Sequence, residues 1–184
     1  MNNEPDNKTK ENKSKNKLRI YKYGENILRK NSKDIEVIDK SIKNLIEEMK
    51  IKMVEKNGVG LAAPQIGKSI QLAIIDPSAG EVTEDCFPLI NPEIIAKDGI
   101  VTDEEGCLSV PGILLQIKRS KNITVRAIDL DGKSYTKTYS DFVARIIQHE
   151  MDHLNGKLII DRISSLKRQF VKKEIKRLKE NGEW

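Results

Sequence analysis

The sequence predicts a mixed chain of helices and antiparallel strands, on three observations. Ile38, Ile42, Leu45, Ile46, Met49 and Met53 recur at helical spacing, which makes a core helix of about four to five turns. Asn122 to Ile128 alternates as a strand with Ile123, Val125 and Ala127 on one face, Asp131-Gly132 is a hairpin turn, and Ser134 to Tyr139 is the return strand. From about Ser164, Leu166, Phe170, Val171, Ile175 and Leu178 give a last helix an apolar face.

Length and composition bound the rest. A chain of 184 residues, 38% hydrophobic and 33% charged, suits one soluble domain with a polar extension. No apolar run approaches the ~20 residues of a membrane helix. The net charge of +5 is too modest to demand a nucleic-acid partner, and much of the basic excess sits in the two terminal segments. Met1 to Lys17 is rich in Asn and Lys with no apolar residue after Met1. It cannot bury enough surface to offset its ordering entropy, so a disordered tail is expected there and a folded domain over 18–184. That start lacks the apolar core of a secretory signal, so the expected compartment is the reducing cytoplasm, with Cys86 and Cys107 as separate thiols.

Taken in order, Ile20, Tyr21 and Tyr23 suggest an extended piece and Gly24 a turn. Asp39 or Ser41 can cap the first helix and Asn57-Gly58 can end it. Gly58-Val59-Gly60-Leu61-Ala62-Ala63-Pro64-Gln65 follows. Its small residues let another backbone approach, as a rail for an extended peptide, and it lacks the trailing Lys-Ser/Thr of a phosphate loop. Ile70 to Ile75 reads as a buried strand. Leu89-Ile90 and Ile94-Ile95 look like short strand pieces on either side of Asn91-Pro92, and Asp98 to Glu105 like an exposed acidic stretch. Ser140 can cap the helix that follows, with Asp141 suited to its positive end, and Gly156 can close it. On that helix Phe142, Ile146, His149 and His153 share a face.

That helix carries Gln148-His149-Glu150-Met151-Asp152-His153, and both histidines of the chain lie in it. Residues four apart on a helix face the same way, so two imidazoles can reach one metal ion. Glu150 flanks the ion without ligating it, the position of a general base in metal-assisted amide hydrolysis. A catalytic site usually has a third protein ligand. A third histidine is excluded, because Ile159 occupies the place where one zincin class carries it. Glu174 or Glu180 would make a gluzincin-type endopeptidase; Cys107, between Gly106 and Leu108, would make a His₂Cys site. Cys86, beside Phe87 and Pro88, reads as a buried core thiol.

Three stretches stand in order: Gly58 to Gln65, Glu105-Gly106-Cys107-Leu108-Ser109, and Gln148 to His153. With φ for an apolar residue, they resemble the peptide deformylase motifs Gly-φ-Gly-φ-Ala-Ala-x-Gln, Glu-Gly-Cys-φ-Ser and Gln-His-Glu-φ-Asp-His. The resemblance covers roughly Leu18 to Leu178. It implies an α+β fold, with antiparallel sheets packed around a central metal-binding helix and a C-terminal amphipathic helix. It implies removal of the formyl group from the N-terminal formyl-methionine of new polypeptides, with release of formate. The implied ligands are Cys107, His149 and His153 on Fe2+, with Ni2+, Co2+ or Zn2+ as replacements. Glu150 is the implied base, and the Gln65 amide and Leu108 N–H are the implied oxyanion donors. Val59, Phe142 and Ile146 would surround the methionine side chain while the Gly58–Gly60 backbone pairs the peptide. Glu105 would support its loop, and Arg145 would make a structural or rim contact. The chain departs from the family at Asn26, often Pro, and at Leu114, where many members carry Arg or Tyr. In related enzymes the last segment contacts the ribosome, and Lys172, Lys173, Lys176 and Arg177 could meet rRNA phosphates here. The rival to an enzyme is a ribosome-surface binder, but such a binder would tolerate loss of Glu150 or Gln65, and both are present.

Overall fold

In the computed structural model, which describes residues 18–82 and 85–184, helix α1 (Lys40–Glu55) carries the first apolar stripe. The tail expected over Met1–Lys17 lies outside the described residues. Asp39 caps α1 by accepting the Ile42 N–H at 3.0 Å. The helix ends as expected: Asn57 turns left-handed (φ 51°) and the Gly58 N–H returns to the Met53 carbonyl at 3.0 Å.

Five antiparallel strands make the main sheet, in the order β1 (Gly60–Ala62), β2 (Leu72–Ile75), β3 (Phe87–Asp98), β6 (Asn122–Ile128) and β7 (Ser134–Ser140). The strands β4 (Val101–Glu105) and β5 (Leu115–Arg119) pair separately as a hairpin. Helix α2 (Asp141–Leu154) packs across β1, β2, β6 and β7. The two-residue period of a strand sorts the core between the helices. Leu61, Leu72, Ile74 and Ile90 join Ile46, Met49 and Met53 of α1, whereas Ile75, Leu89, Ile123, Val125 and Ala127 join Ala144, Ile146 and Ile147 of α2. The inner strands are covered on both faces, which is why β2 is apolar throughout. A third cluster joins Ile113, Ile117, Leu158, Ile159 and Ile160 to Ile175 and Leu178 of the last helix, α3 (Ser165–Glu180).

Four expectations need correction. The pieces flanking Asn91-Pro92 are one strand. Asn91 turns left-handed (φ 49°), the register with β6 shifts between Ile90 and Glu93, and the Asn91 side chain bonds both backbone groups of Ile35 at 2.9 Å. A bulge of this kind absorbs a proline that an unbroken ladder could not. The acidic stretch before Cys107 is exposed only to Glu104; it is strand β4, and Glu105 at its end is 7% exposed. Ser140 does not cap α2 through its side chain. It remains paired with Asn122 at the end of β7, and Asp141, left-handed at φ 51°, sends its N–H to the Lys121 carbonyl at 2.8 Å. Along α3 the apolar face docks only in part: Ile175 and Leu178 are buried and Val171 packs against their cluster, but Leu166 and Phe170 are both 62% exposed. The Asp131-Gly132 hairpin forms as expected, closed by Asp129 N–H on the Lys133 carbonyl at 2.9 Å.

Candidate metal and catalytic centre

The helical spacing does what the sequence requires of it. His149 and His153 project from the same face of α2, their ring centroids 5.1 Å apart. Cys107 comes to them from the loop that joins β4 to β5, and its Sγ lies 3.2 Å from His153 Nε2. One ligand atom from each of Cys107, His149 and His153 falls within 4.8 Å of the other two, and among the described residues this is the one such group. These donors are within reach of a single ion whose bonds to sulfur and nitrogen run about 2.3 and 2.0–2.1 Å. The donor set, one soft thiolate and two imidazoles, suits iron or zinc and not a hard cation. Glu174 and Glu180 are absent from it; Glu174 lies on α3 and accepts from Arg177 at 2.6 and 2.9 Å. Cys86 is likewise elsewhere, half-buried against the α1 cluster, where burial raises its pKa. Both cysteines are free thiols.

Glu150 is 3% exposed beside the cluster, and its Oε2 has no hydrogen-bond partner. Burial pushes its pKa up to about 7, against the lowering influence of His149. An unpartnered buried carboxylate oxygen is costly unless a substrate or solvent molecule completes it. Gln65 sits on the short 3-10 turn Ala63–Ile66 that follows β1. Its Oε1 accepts the Ala62 N–H at 2.8 Å, which fixes the amide so that Nε2 faces Ser109 Oγ at 3.3 Å and Cys107 Sγ at 3.9 Å. Leu108 follows Cys107, and among the described residues nothing accepts a hydrogen bond from its N–H. A cavity of about 850 Å³ opens in front of these groups, with Gly58, Val59, Gly60, Phe142 and Ile146 along its wall. Phe142 is half-exposed at the mouth and Ile146 is buried. The strand β1 is an edge of the sheet, so its side toward this cavity is open to pairing.

Behind the cluster lies a network that sequence reasoning largely missed. Glu105 accepts His149 Nδ1 at 3.0 Å, two bonds from Arg119 at 2.9 Å each, and Arg145 Nη1 at 2.7 Å. Burial alone would raise the Glu105 pKa, but these bonds from Arg119 and His149 outweigh it and hold the carboxyl well below the usual range. Arg119 also reaches Asp152 Oδ2 at 2.5 Å, and Asp152 accepts Arg162 Nε at 2.8 Å. Gln148 joins α2 to the turn before β6 by exchanging bonds with the Ser120 backbone at 2.9 and 3.0 Å. By occupying Nδ1 of His149, Glu105 leaves Nε2 free for an ion and fixes the ring plane. The support foreseen for Glu105 and the structural role foreseen for Arg145 are the contacts observed. Arg119 had a signal: Leu115, Ile117 and Arg119 share one face of a strand by the two-residue period, although the charged surroundings Lys118 to Lys121 suggest solvent.

Most of the chain is similar to known proteins. A profile of the polypeptide deformylase family matches residues 17–169. A peptide deformylase of Acidobacterium capsulatum is 41% identical over 165 residues, covering 90% of this chain and 97% of the relative. One of Thermodesulfovibrio yellowstonii is 41% identical over 159 residues, 86% of this chain and 96% of the relative. A crystal structure of a peptide deformylase from Legionella pneumophila superposes with a TM-score of 0.83 at 39% identity, covering 90% of this chain and 97% of that one. With the profile spanning most of the chain and relatives this similar over nearly their whole length, the chain belongs to the polypeptide deformylase family.

Proposed function

We propose that Cys107, His149 and His153 hold a divalent metal ion and that Glu150 beside it serves as the proton carrier for deformylation. The reaction class follows from family membership: the chain is a hydrolase that removes the formyl group from the N-terminal formyl-methionine of newly made polypeptides, releasing formate. The single observation that carries the residue assignment is the buried Glu150 carboxylate, with one oxygen unpartnered, next to a Cys–His–His cluster. We take the ion to be Fe2+, as the family resemblance implies, with Ni2+, Co2+ or Zn2+ able to use the same donors; the soft thiolate is compatible with each of these and disfavours a hard cation. Such an ion, when bound, supplies Lewis acidity and makes water a nucleophile near neutral pH.

The chain's own residues do the rest. Glu150 Oε2 takes a proton from the attacking water and returns it to the leaving amine nitrogen as the carbon–nitrogen bond breaks. Gln65 Nε2 and the Leu108 N–H donate to the oxyanion that develops on the formyl oxygen as water adds to the formyl carbon. Gly58 to Gly60, on an open strand edge, pairs with the peptide, and Val59, Phe142 and Ile146 receive the unbranched methionine side chain. Glu105 acts through His149, by orienting it.

Among the described residues no helix is long and apolar enough to cross a membrane, and two free thiols fit a reducing compartment; we assign the protein to the cytoplasm. The outer face of α3 carries Lys172, Lys173, Lys176 and Arg177 and is proposed to contact the ribosome, with binding that weakens steeply as salt rises. The central test is formate release from formyl-Met-Ala by anaerobically purified, metal-loaded protein. Stoichiometric formate and free Met-Ala are expected; no formate from protein with a full metal complement would refute the assignment.

A further inference from the structure

The cavity wall nearest α1 carries charge that the chemistry above does not use. Arg19, Lys22, Lys52 and Lys56 all line it, beside Asn57 and the Gly58–Gly60 edge. Two of them are neutralised: Arg19 pairs with Glu25, and Lys52, only 7% exposed, donates to Glu55 at 2.8 Å. The other two are not. Among the described residues neither Lys22 nor Lys56 has a side-chain partner; Glu25, which accepts the Lys22 backbone N–H at 2.8 Å, is paired with Arg19, and Glu55 with Lys52. Glu104, which among the described residues has no ion-pair partner, lines the cavity from strand β4 instead. The cavity lining is therefore polarised, with Lys22 on the N-terminal segment and Lys56 at the end of α1, and with the Glu104 carboxylate on β4. Glu150 lies against Gly60, and Lys56 is two residues before Gly58, so a peptide laid along this edge with its formyl end at Glu150 runs toward Lys56.

From this juxtaposition we infer that the protein selects formylated chains with an acidic residue shortly after the methionine, Lys22 and Lys56 being the specificity-determining groups. This rests on the deformylase reading of the same cavity. In an extended peptide successive side chains point to opposite sides, so the preference belongs to one of the second and third residues, not to both. A low-dielectric wall around the mouth focuses the field of these two cations on the departing peptide. Lys56 is exposed and Lys22 partly so, so the effect per lysine is that of a surface ion pair, about two- to fivefold at low ionic strength, and it shrinks as salt screens it.

The test compares formyl-Met-Ala-Ala with peptides bearing Asp or Lys at the second or the third residue. The ratio of kcat/KM for Asp over Lys is read within one protein preparation, so the active fraction cancels. The wild-type protein should favour Asp at one of the two positions, more strongly at low than at high salt. Lys22→Glu with Lys56→Glu should abolish or reverse the ratio, and Lys22→Gln with Lys56→Gln should flatten it. Equal rates for Asp and Lys in the wild type, or a ratio that survives both double variants, overturns the inference and leaves deformylation standing. Failure to release formate from any of the peptides, formyl-Met-Ala-Ala included, overturns deformylation itself and this preference with it.

Discussion

Gly60 lies against Glu150, the proposed proton carrier, and one added methyl group tests whether that closeness matters. A Cβ built on Gly60 would lie 2.9 Å from both Glu150 Cδ and Ile146 Cγ2, against 3.4–4 Å for ordinary contact. Both neighbours belong to α2, one turn apart, so Gly60→Ala must open the β1–α2 interface by about half an ångström or turn Glu150 aside. Gly60 is not among the glycines with positive φ, so alanine suffers no backbone strain there. Overpacking of this sort costs about 1–3 kcal/mol of stability, which a domain can survive. Catalysis is less tolerant, because misplacement of a reacting group by up to 1 Å can cost about 10²-fold. We expect Gly60→Ala to fold, to keep its metal, and to lose about 10- to 100-fold in kcat/KM, with the loss in kcat. At Gly58 the corresponding Cβ meets Leu108 Cδ1, the end of a flexible side chain, at 3.1 Å and Met53 Cγ, midway along an unbranched one, at 3.3 Å, both longer than the contacts at Gly60. Gly58→Ala should therefore lose only a few-fold. The assay is formate release, with metal stoichiometry and thermal melting measured on the same samples. A folded, metal-loaded Gly60→Ala protein with wild-type kcat would refute the reasoning, and a rise in KM alone would mean that the methyl blocks peptide pairing and leaves Glu150 in place.

Replacing Glu150 by Ala should leave the metal content near wild type and abolish turnover; metal loss equal to that of His149→Ala would make Glu150 a ligand. Cys107→Ala should empty the site in a metal assay, whereas Glu174→Ala, which breaks only a surface pair with Arg177, should change neither metal nor activity. The reverse pattern would mark a gluzincin-like peptidase. Glu105→Gln leaves Arg145 without a carboxylate in a buried setting and Arg119 with Asp152 alone, and uncompensated buried charge of this kind costs about 3–5 kcal/mol. A denaturation midpoint near wild type would mean that water already reaches these guanidiniums.

The parts of the fold that could be read in advance are those fixed by local rules. The α1 stripe, the Asp39 cap, the β6–β7 hairpin and the Gly156 terminus each need only a few neighbouring residues to be recognised, and each stands where its residues indicate. The misreadings share a cause as well. Asn91-Pro92 breaks a ladder unless a bulge intervenes, and the Ile35 backbone that holds Asn91 is 56 residues away. Leu166 and Phe170 have helical spacing with Ile175 and Leu178, but spacing says nothing of how far along the helix the domain extends.

The candidate centre divides in the same way. His149, Glu150 and His153 share one helix face, and that geometry is contained in the interval between them. Cys107 and Gln65 reach the same place from loops 42 residues apart in sequence, and no periodicity announces that; only the resemblance of all three motifs does. The Glu105, Arg119, Arg145 and Asp152 network was hidden because isolated charges read as solvated, and most are. Its meaning comes from topology. Strands β4 and β5 pair as a hairpin whose loop carries Cys107, and Glu105 and Arg119 stand on those strands, bonded across to α2 through His149 and Asp152. The network thus ties the thiol-bearing hairpin to the histidine-bearing helix. It follows that removing its charges should disturb the relative position of Cys107 and the two histidines before it disturbs either element alone, so metal affinity should fall in Glu105→Gln even under conditions where the chain remains folded.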